Sequence, residues 1–316
     1  MKVPEIIKNS KKSMVSFEIL PPTKGTSIKS IFDNLDPLME FNPQYINITY
    51  HQPETVLIEK QDGLFEAKII RKRPGTVAIA AAIQNRYKVD VVPHLICGGF
   101  SKEEIEDALI DLNYLGIENI LAVRGDGDPI SRRFNHSQKG HKFAIELLEQ
   151  IVDLNKGKYL DSDSKNLTKT DFSVGVAGYP EKHAESPNME TDLNWLKAKV
   201  DAGAEYIVTQ MFFDNECFFS LVESCRKIGI TVPIIPGLKP ISIKKHLSLL
   251  PQTFKVDIPL NLVKEIEKCQ TNKAVRELGV QWAIKQSKEL IAAGVPVIHF
   301  FTMGKSDNIV AILKGL

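Results

Sequence analysis

The sequence predicts an α/β fold, a closed (β/α)8 barrel of the TIM type, as a single domain over residues 1–316. Three observations predict it. Short apolar runs alternate with polar amphipathic stretches to the end of the chain. The runs number eight, at 14–20, 45–50, 91–97, 119–123, 173–179, 206–213, 232–238 and 297–303. Each is almost continuously apolar, as suits parallel strands covered on both faces. An open, doubly wound sheet is the rival for the same alternation.

The crossovers support the strands they join. In 101–115, Ser101 and Glu104 form a capping-box pattern, Ile105, Ala108, Leu109 and Leu112 share one face, and Gly116 can end the helix in a left-handed turn. Residues 140–155, 191–200, 217–228 and 273–293 also read as helices. Two crossovers are oversized. Residues 51–90 hold a first segment, a basic stretch at 68–75 (KIIRKRPG) expected to be a solvated helix end, and a second helix beginning near Thr76. Residues 157–170 are polar and nonperiodic, and are expected to be an exposed excursion.

Composition excludes several function classes. Forty basic and thirty-nine acidic residues leave a formal charge of +1, so no basic field exists to hold nucleic acid. Cys97, Cys217, Cys225 and Cys269 lack zinc-finger spacing and are too few for a disulfide scaffold, which fits a reducing compartment. With no signal-like N-terminus and no apolar run of membrane-spanning length, the expectation is a cytoplasmic protein without a membrane partner. There is no Gly-x-Gly-x-x-Gly after a strand and no Walker A loop. No His-Glu-x-x-His or clustered acidic set appears, so no metal is assigned.

Ligands of a barrel meet the C-terminal ends of its strands. There the sequence offers Glu18, Thr49-Tyr50-His51, His94, Arg124-Gly125-Asp126, Tyr179-Pro180-Glu181 with His183, Thr209-Gln210, Pro236-Gly237, and His299 with Thr302. Glu18 lies among Phe17, Ile19 and Leu20, so desolvation is expected to raise its pKa and suit it to donate a proton. An exposed carboxylate, or one paired with a structural arginine, is the alternative. Arg124 to Asp126 suit a polar heterocycle or phosphate, or form a loop ion pair. His94 is a ligand or a hydrogen-bonded core histidine. Asp192, Trp195 and Lys199 make a stripe that faces water unless the loop with Tyr179 and His183 folds a ligand against it.

Taken in order, Ser16-Phe17-Glu18-Ile19-Leu20-Pro21-Pro22, Asn47-Ile48-Thr49-Tyr50, Pro93-His94-Leu95, Val123-Arg124-Gly125-Asp126, Tyr179-Pro180-Glu181-x-His183, Thr209-Gln210-Met211-Phe212-Phe213-Asp214, Pro236-Gly237 and Ile298-His299-Phe300-Phe301-Thr302 resemble the methylenetetrahydrofolate reductase family over essentially the whole chain. The resemblance implies a flavoprotein that reduces 5,10-methylenetetrahydrofolate to 5-methyltetrahydrofolate, supplying methyl groups for methionine synthesis. FAD would lie at the barrel mouth, NADH or NADPH would be co-substrate, and the hydride would pass in ping-pong order. By the same resemblance Glu18 is the general acid and Asp126 lies near pterin and flavin. Gln210 and Lys305 are folate-side residues. Thr49, Tyr50, His94, Arg124, Gly125, Asp126, Tyr179, His183, Asp192 and Lys199 are FAD-side residues.

The chain also departs from the family pattern. Trp195 and Ala198 stand where Asn and Arg are common, Lys244 where an aromatic often stacks on nicotinamide and folate, and Lys305 where Arg is frequent. The chain ends thirteen residues after Met303, so an appended regulatory domain with adenosylmethionine feedback is not expected. Family precedent implies a homo-oligomer. The alternatives are a flavin-binding relative with impaired catalysis, and a metal-dependent barrel hydrolase using His94, His183 and His299.

Overall fold

The computed structural model describes residues 1–61, 63–127, 134, 137–161 and 167–316. Among the described residues ten strands follow one another as β1 (Met14–Ile19), β2 (Tyr45–Ile48), β3 (Glu54–Glu59), β4 (Phe65–Ile70), β5 (Asp90–Ile96), β6 (Asn119–Val123), β7 (Ser173–Gly178), β8 (Tyr206–Met211), β9 (Ile234–Leu238) and β10 (Val297–Phe301). The helices are α1 (Val3–Asn9), α2 (Lys29–Met39), α3 (Val77–Tyr87), α4 (Lys102–Tyr114), α5 (Ala144–Asn155), α6 (Met189–Asp201), α7 (Asn215–Lys227), α8 (His246–Phe254), α9 (Leu260–Lys268), α10 (Asn272–Ala292) and α11 (Asp307–Lys314).

Eight strands close into a barrel in the order β1-β10-β9-β8-β7-β6-β5-β2, every neighbouring pair parallel. Closure decides against the open sheet. All eight expected strands are present, some shorter by one or two residues at an end. The starts of α4, α6, α7 and α10 follow local capping. Ser101 Oγ accepts from Glu104 N at 3.1 Å while Ser101 N donates to the Glu104 carboxylate at 2.8 Å. Asn188, Asp214 and Thr271 cap α6, α7 and α10 in the same sense.

Two layers of apolar side chains follow from strand alternation. Outward residues such as Phe17, Ile46, Ala122 and Ile207 pack under the helices. Inward residues Tyr45, Val92, Leu121, Tyr206, Val208, Ile235 and Val297 fill the barrel, and Val3 and Ile6 of α1 join them as a plug at the N-terminal end. Gly175 leaves room for the Tyr206 ring, which a side chain there would strike. The plug is fixed by Asn119, whose Oδ1 accepts from Val3 N at 2.9 Å and whose Nδ2 donates to Met1 O at 3.0 Å.

The basic stretch 68–75 corrects an expectation. It is not a helix end: Lys68, Ile69 and Ile70 lie in β4, which pairs antiparallel with β3, and residues 71–75 lead back to the barrel. The β-branched and aromatic content of 54–59 and 65–70 favours strand over helix. Of the expected excursion 157–170, residues 162–166 lie outside the described residues; residues 157–161 are mostly exposed, and Tyr159 Oη donates to Thr168 O at 2.7 Å.

Asn119 is buried, so Asn119→Ala strands the N–H of Val3 and should lower stability by roughly 1–3 kcal/mol in urea titration. An unchanged midpoint would mean that α1 does not seal the barrel floor.

Candidate active site

The register of β1 against its two neighbours builds the centre of the site. Ser16 lies opposite His299 on β10, and Glu18 lies opposite Asn47 on β2. Two residues apart on one strand, Ser16 and Glu18 both point into the barrel. His299 bridges them. Its Nδ1 meets Ser16 Oγ at 2.9 Å and accepts from Asn47 Nδ2 at 3.3 Å, which leaves Nε2 to carry the hydrogen toward Glu18 Oε2 at 3.4 Å. Thr49 Oγ1 donates to Glu18 Oε1 at 2.6 Å, and His94 Nε2 stands 3.6 Å from Oε2.

Burial pushes the Glu18 carboxyl up, but the charge of His94, the hydrogen bond and charge of His299, and the Thr49 hydroxyl outweigh it and hold the group below its ordinary value. This corrects the raised value expected from its apolar sequence neighbours: the polar partners come from other strands. The depression depends on a protonated imidazole, and burial lowers His94 itself. Glu18 and His94 therefore bind protons as a coupled pair.

Asp126 faces this set. Burial and the Glu18 charge raise its pKa, against His51 and Arg124. Gly125 has a φ of +92°, a conformation that suits glycine, and Gln52 Nε2 donates to the Asp126 carbonyl. Arg124 grips Glu185 with both nitrogens at 2.6 and 2.7 Å, its guanidinium 4.9 Å over the Phe134 ring. The ion pair within the Arg124 to Asp126 loop is therefore not the one formed: the partner of Arg124 is Glu185.

A second group lies at the ends of β6 and β7. The Tyr179 and His183 rings meet edge to face at 4.7 Å. Asp192 accepts from His183 N at 3.1 Å and from Ser186 Oγ at 2.8 Å. Lys199 Nζ donates to Ala177 O at 2.9 Å. Desolvation pushes the Lys199 amine down to about 8, opposed by Asp192. The stripe of Asp192, Trp195 and Lys199 therefore divides: its ends turn to the strand termini, while Trp195 is 53% exposed and stacks on Phe143 at 6.3 Å.

Other expected residues stand apart from the Glu18 set. Gln210 lies where β8 shifts register against β9, and its Oε1 accepts from Met211 N at 2.9 Å. Lys305 is exposed in the turn before α11. Tyr50 meets Phe100 edge to face at 5.1 Å. Lys244 Nζ donates to Glu267 O at 2.8 Å at the C-terminal end of α9, where a cation suits the helix dipole. His183 lies in the second group, against Asp192, and among the described residues no cluster of three or more His, Cys, Asp or Glu is arranged to hold a metal ion.

Sequence reasoning assigned no role to Ser16, Asn47 or Glu181, and counted His299 among the strand-end residues with a stated role only in the metal-hydrolase alternative. The two-residue spacing of Ser16 and Glu18 was the available signal. Glu181 accepts from Asp257 N at 2.9 Å, and burial pushes its carboxyl up to about 7.

With this geometry in place, comparison with known proteins is decisive. The family model described as methylenetetrahydrofolate reductase matches residues 2–316. The chain belongs to the methylenetetrahydrofolate reductase family. It is similar to methylenetetrahydrofolate reductase (NADH) 1 of Arabidopsis thaliana, 32% identical over 95% of this chain and 48% of that one. A Caenorhabditis elegans relative described as a probable methylenetetrahydrofolate reductase (NADPH) is 29% identical over 98% of this chain and 43% of its own length. The chain thus spans about half the length of these two family members. The Escherichia coli K12 5,10-methylenetetrahydrofolate reductase is 29% identical, over 96% of this chain and 90% of its own. Among solved structures, an uncharacterized Clostridium thermocellum protein that binds two copies of 5-methyl-5,6,7,8-tetrahydrofolic acid superposes with a TM-score of 0.61 at 14% identity, covering 98% of this chain and 96% of that one, which shows a shared fold.

Lys199 supplies a test of the second group. A lysine depressed to about 8 in the fold releases its proton before the unfolded chain does, so its contribution to stability should grow as pH rises from about 8 toward the ordinary lysine value near 10.5. Denaturant titrations at pH 7.5 and 10 should show that gain in the wild type and a smaller one in Lys199→Met. Equal gains would place the amine in solvent.

Proposed function

We propose that residues 1–316 form a single catalytic unit that reduces 5,10-methylenetetrahydrofolate to 5-methyltetrahydrofolate, with a reduced nicotinamide as electron donor and FAD as bound cofactor. The unit would act in the cytoplasm as a homo-oligomer; no helix among the described residues is long and apolar enough to cross a membrane. The observation that carries the proposal is the Glu18 carboxyl, gripped by Thr49, His94 and His299 at the mouth of a barrel that belongs to this family. Relatives named for NADH and for NADPH support a nicotinamide co-substrate.

The residues at the mouth fit a flavin dinucleotide. His94 Nε2 is buried without a hydrogen-bond partner, so a polar ring edge brought against it would gain a bond. Arg124 and Lys199 offer cations to a diphosphate. Thr49, Tyr50, His94, Arg124, Gly125, Asp126, Tyr179, His183, Asp192 and Lys199 would hold the cofactor, and Gln210 and Lys305 the folate. When bound, FAD supplies a two-electron carrier that takes hydride from the nicotinamide and gives it to the folate in turn.

The protein's own part is proton management. Glu18 delivers a proton from its carboxyl to the bridging nitrogen of the folate and so opens the ring to an electrophilic one-carbon unit. Thr49 fixes Oε1 and the Nε2–H of His299 points at Oε2, leaving His94, 3.6 Å away, as the imidazole that exchanges a proton with the carboxyl. Folate seated over the mouth excludes water, which favours the neutral carboxyl and works against the depression that the imidazoles impose. Asp126 places a carboxyl beside the cationic one-carbon unit. Ser16 and Asn47 act through His299 by fixing its tautomer.

Anaerobic half-reactions test the assignment. Purified protein should carry flavin absorbance, and NADH or NADPH should bleach it equally fast in wild type and Glu18→Gln. Reoxidation by methylenetetrahydrofolate should fall in the variant by about 100-fold or more, the scale of a lost general acid. Equal loss of both steps would refute the acid role, and protein that takes up no flavin would refute the function. Asp126→Asn should slow the folate step while retaining flavin, and unchanged folate kinetics would remove Asp126 from the site.

A further inference from the structure

The ribbon of β3 and β4 stands off the barrel between β2 and α3, and its outer strand has a free edge. Every residue of 65–69 is exposed, Phe65 by 62% and Ile69 by 74%. The hairpin's bonding fixes which backbone groups face outward. Lys60 N donates to Leu64 O at 2.8 Å, and the ladder pairs Ile58 with Glu66, Leu57 with Ala67 and Val56 with Lys68. Bonded and non-bonded pairs alternate in an antiparallel ladder. Glu66 and Lys68 therefore bond to β3, while Phe65, Ala67 and Ile69 point their N–H and C=O groups at the free edge, where no backbone partner lies among the described residues.

Long exposed edges are normally blunted by proline, a bulge, a short strand or charged side chains, and of these this edge has only the opposite charges of Glu66 and Lys68. Its sequence, Phe65-Glu66-Ala67-Lys68-Ile69, is instead complementary to itself when reversed about Ala67. We infer that two copies of this chain associate by antiparallel pairing of β4 with β4 about a two-fold axis through Ala67.

In that register Ala67 exchanges both backbone bonds with its own copy, and Phe65 does so with Ile69 of the second copy. These are the residues whose groups point outward. On one face, Phe65 sits across from Ile69, and the stripe that includes exposed Leu57 continues into the second ribbon. On the other face, Glu66 sits across from Lys68. Within its own hairpin Glu66 has Lys60 at 3.5 Å, and Lys68 has no ion-pair partner among the described residues, so pairing supplies one. An isologous contact of this kind closes on itself and does not propagate into a fibre. The ribbon is a small interface, so a concentration-dependent association in the micromolar range is expected.

Sedimentation velocity across that range tests the inference on the full chain. Wild type should dimerise, and E66K and K68E alone should each weaken the step by about tenfold, because each sets like charges across the axis twice. E66K/K68E together should restore it, since the pair is then reversed but complementary. Ala67→Cys should give a disulfide-linked dimer on a non-reducing gel, and wild type should not. Turnover per subunit should be unchanged throughout. A monomer at every concentration, or an assembly indifferent to both single reversals and to cross-linking, would overturn the inference.

Discussion

The site depends on one constraint: Glu18 is a carboxyl inside a barrel rim, and only groups from neighbouring strands can satisfy it. Its sequence neighbours Phe17 and Ile19 face outward into the helix layer and give it nothing. A buried carboxyl without partners costs several kcal/mol, so the fold of this region amounts to bringing Thr49, His94 and His299 to within reach of it. That requires β1 to lie between β10 and β2 in one register. A slip by one residue would point Glu18 at the helices and Phe17 at the pocket. Closure of the barrel is therefore what makes the acid group possible.

The strands and most of the surrounding helices were legible because their signals are local. Apolar runs, capping pairs such as Ser101 and Glu104, and the left-handed glycine at 116 act over a few residues and do not need the tertiary fold. The ribbon of β3 and β4 was obscured by its charges. Lys68, Arg71, Lys72 and Arg73 suggested a solvated helix end, whereas what decides the segment is the alternation of 54–59 against 65–70 across a glycine turn at 63. The α1 plug was missed because Val3 and Ile6 are too few to show a period; their burial comes from meeting the barrel floor.

The candidate residues show the same division. Their positions at strand ends followed from the pattern, but their partners did not. Glu18 was expected to be raised by burial, and the imidazoles reverse the sign. Both histidines lie far from it in sequence, and only the pairing of Ser16 with His299 and Asn47 with Glu18 brings the set together. Lys244, unable to stack as an aromatic would, instead binds the carbonyls ending α9. That contact ties the loop after β9 to the helix layer and gives the lysine a structural use.

The grip of Glu185 on Arg124 bears on how a dinucleotide could enter. The pair is bidentate and short, yet Glu185 is 60% exposed, and ion pairs of that kind contribute little net stability because water and salt compete for both partners. Exchange of the carboxylate for a phosphate oxygen would therefore cost little while keeping the guanidinium's planar geometry satisfied. The Phe134 ring beneath the guanidinium holds it in place during that exchange. His183, whose Nδ1 accepts from Glu185 N, would feel the loss of the carboxylate charge directly. On the proposed function, the same residue that keeps Arg124 extended and ordered before binding is the one most readily displaced by the cofactor, and Arg124 needs no rotamer search to receive it.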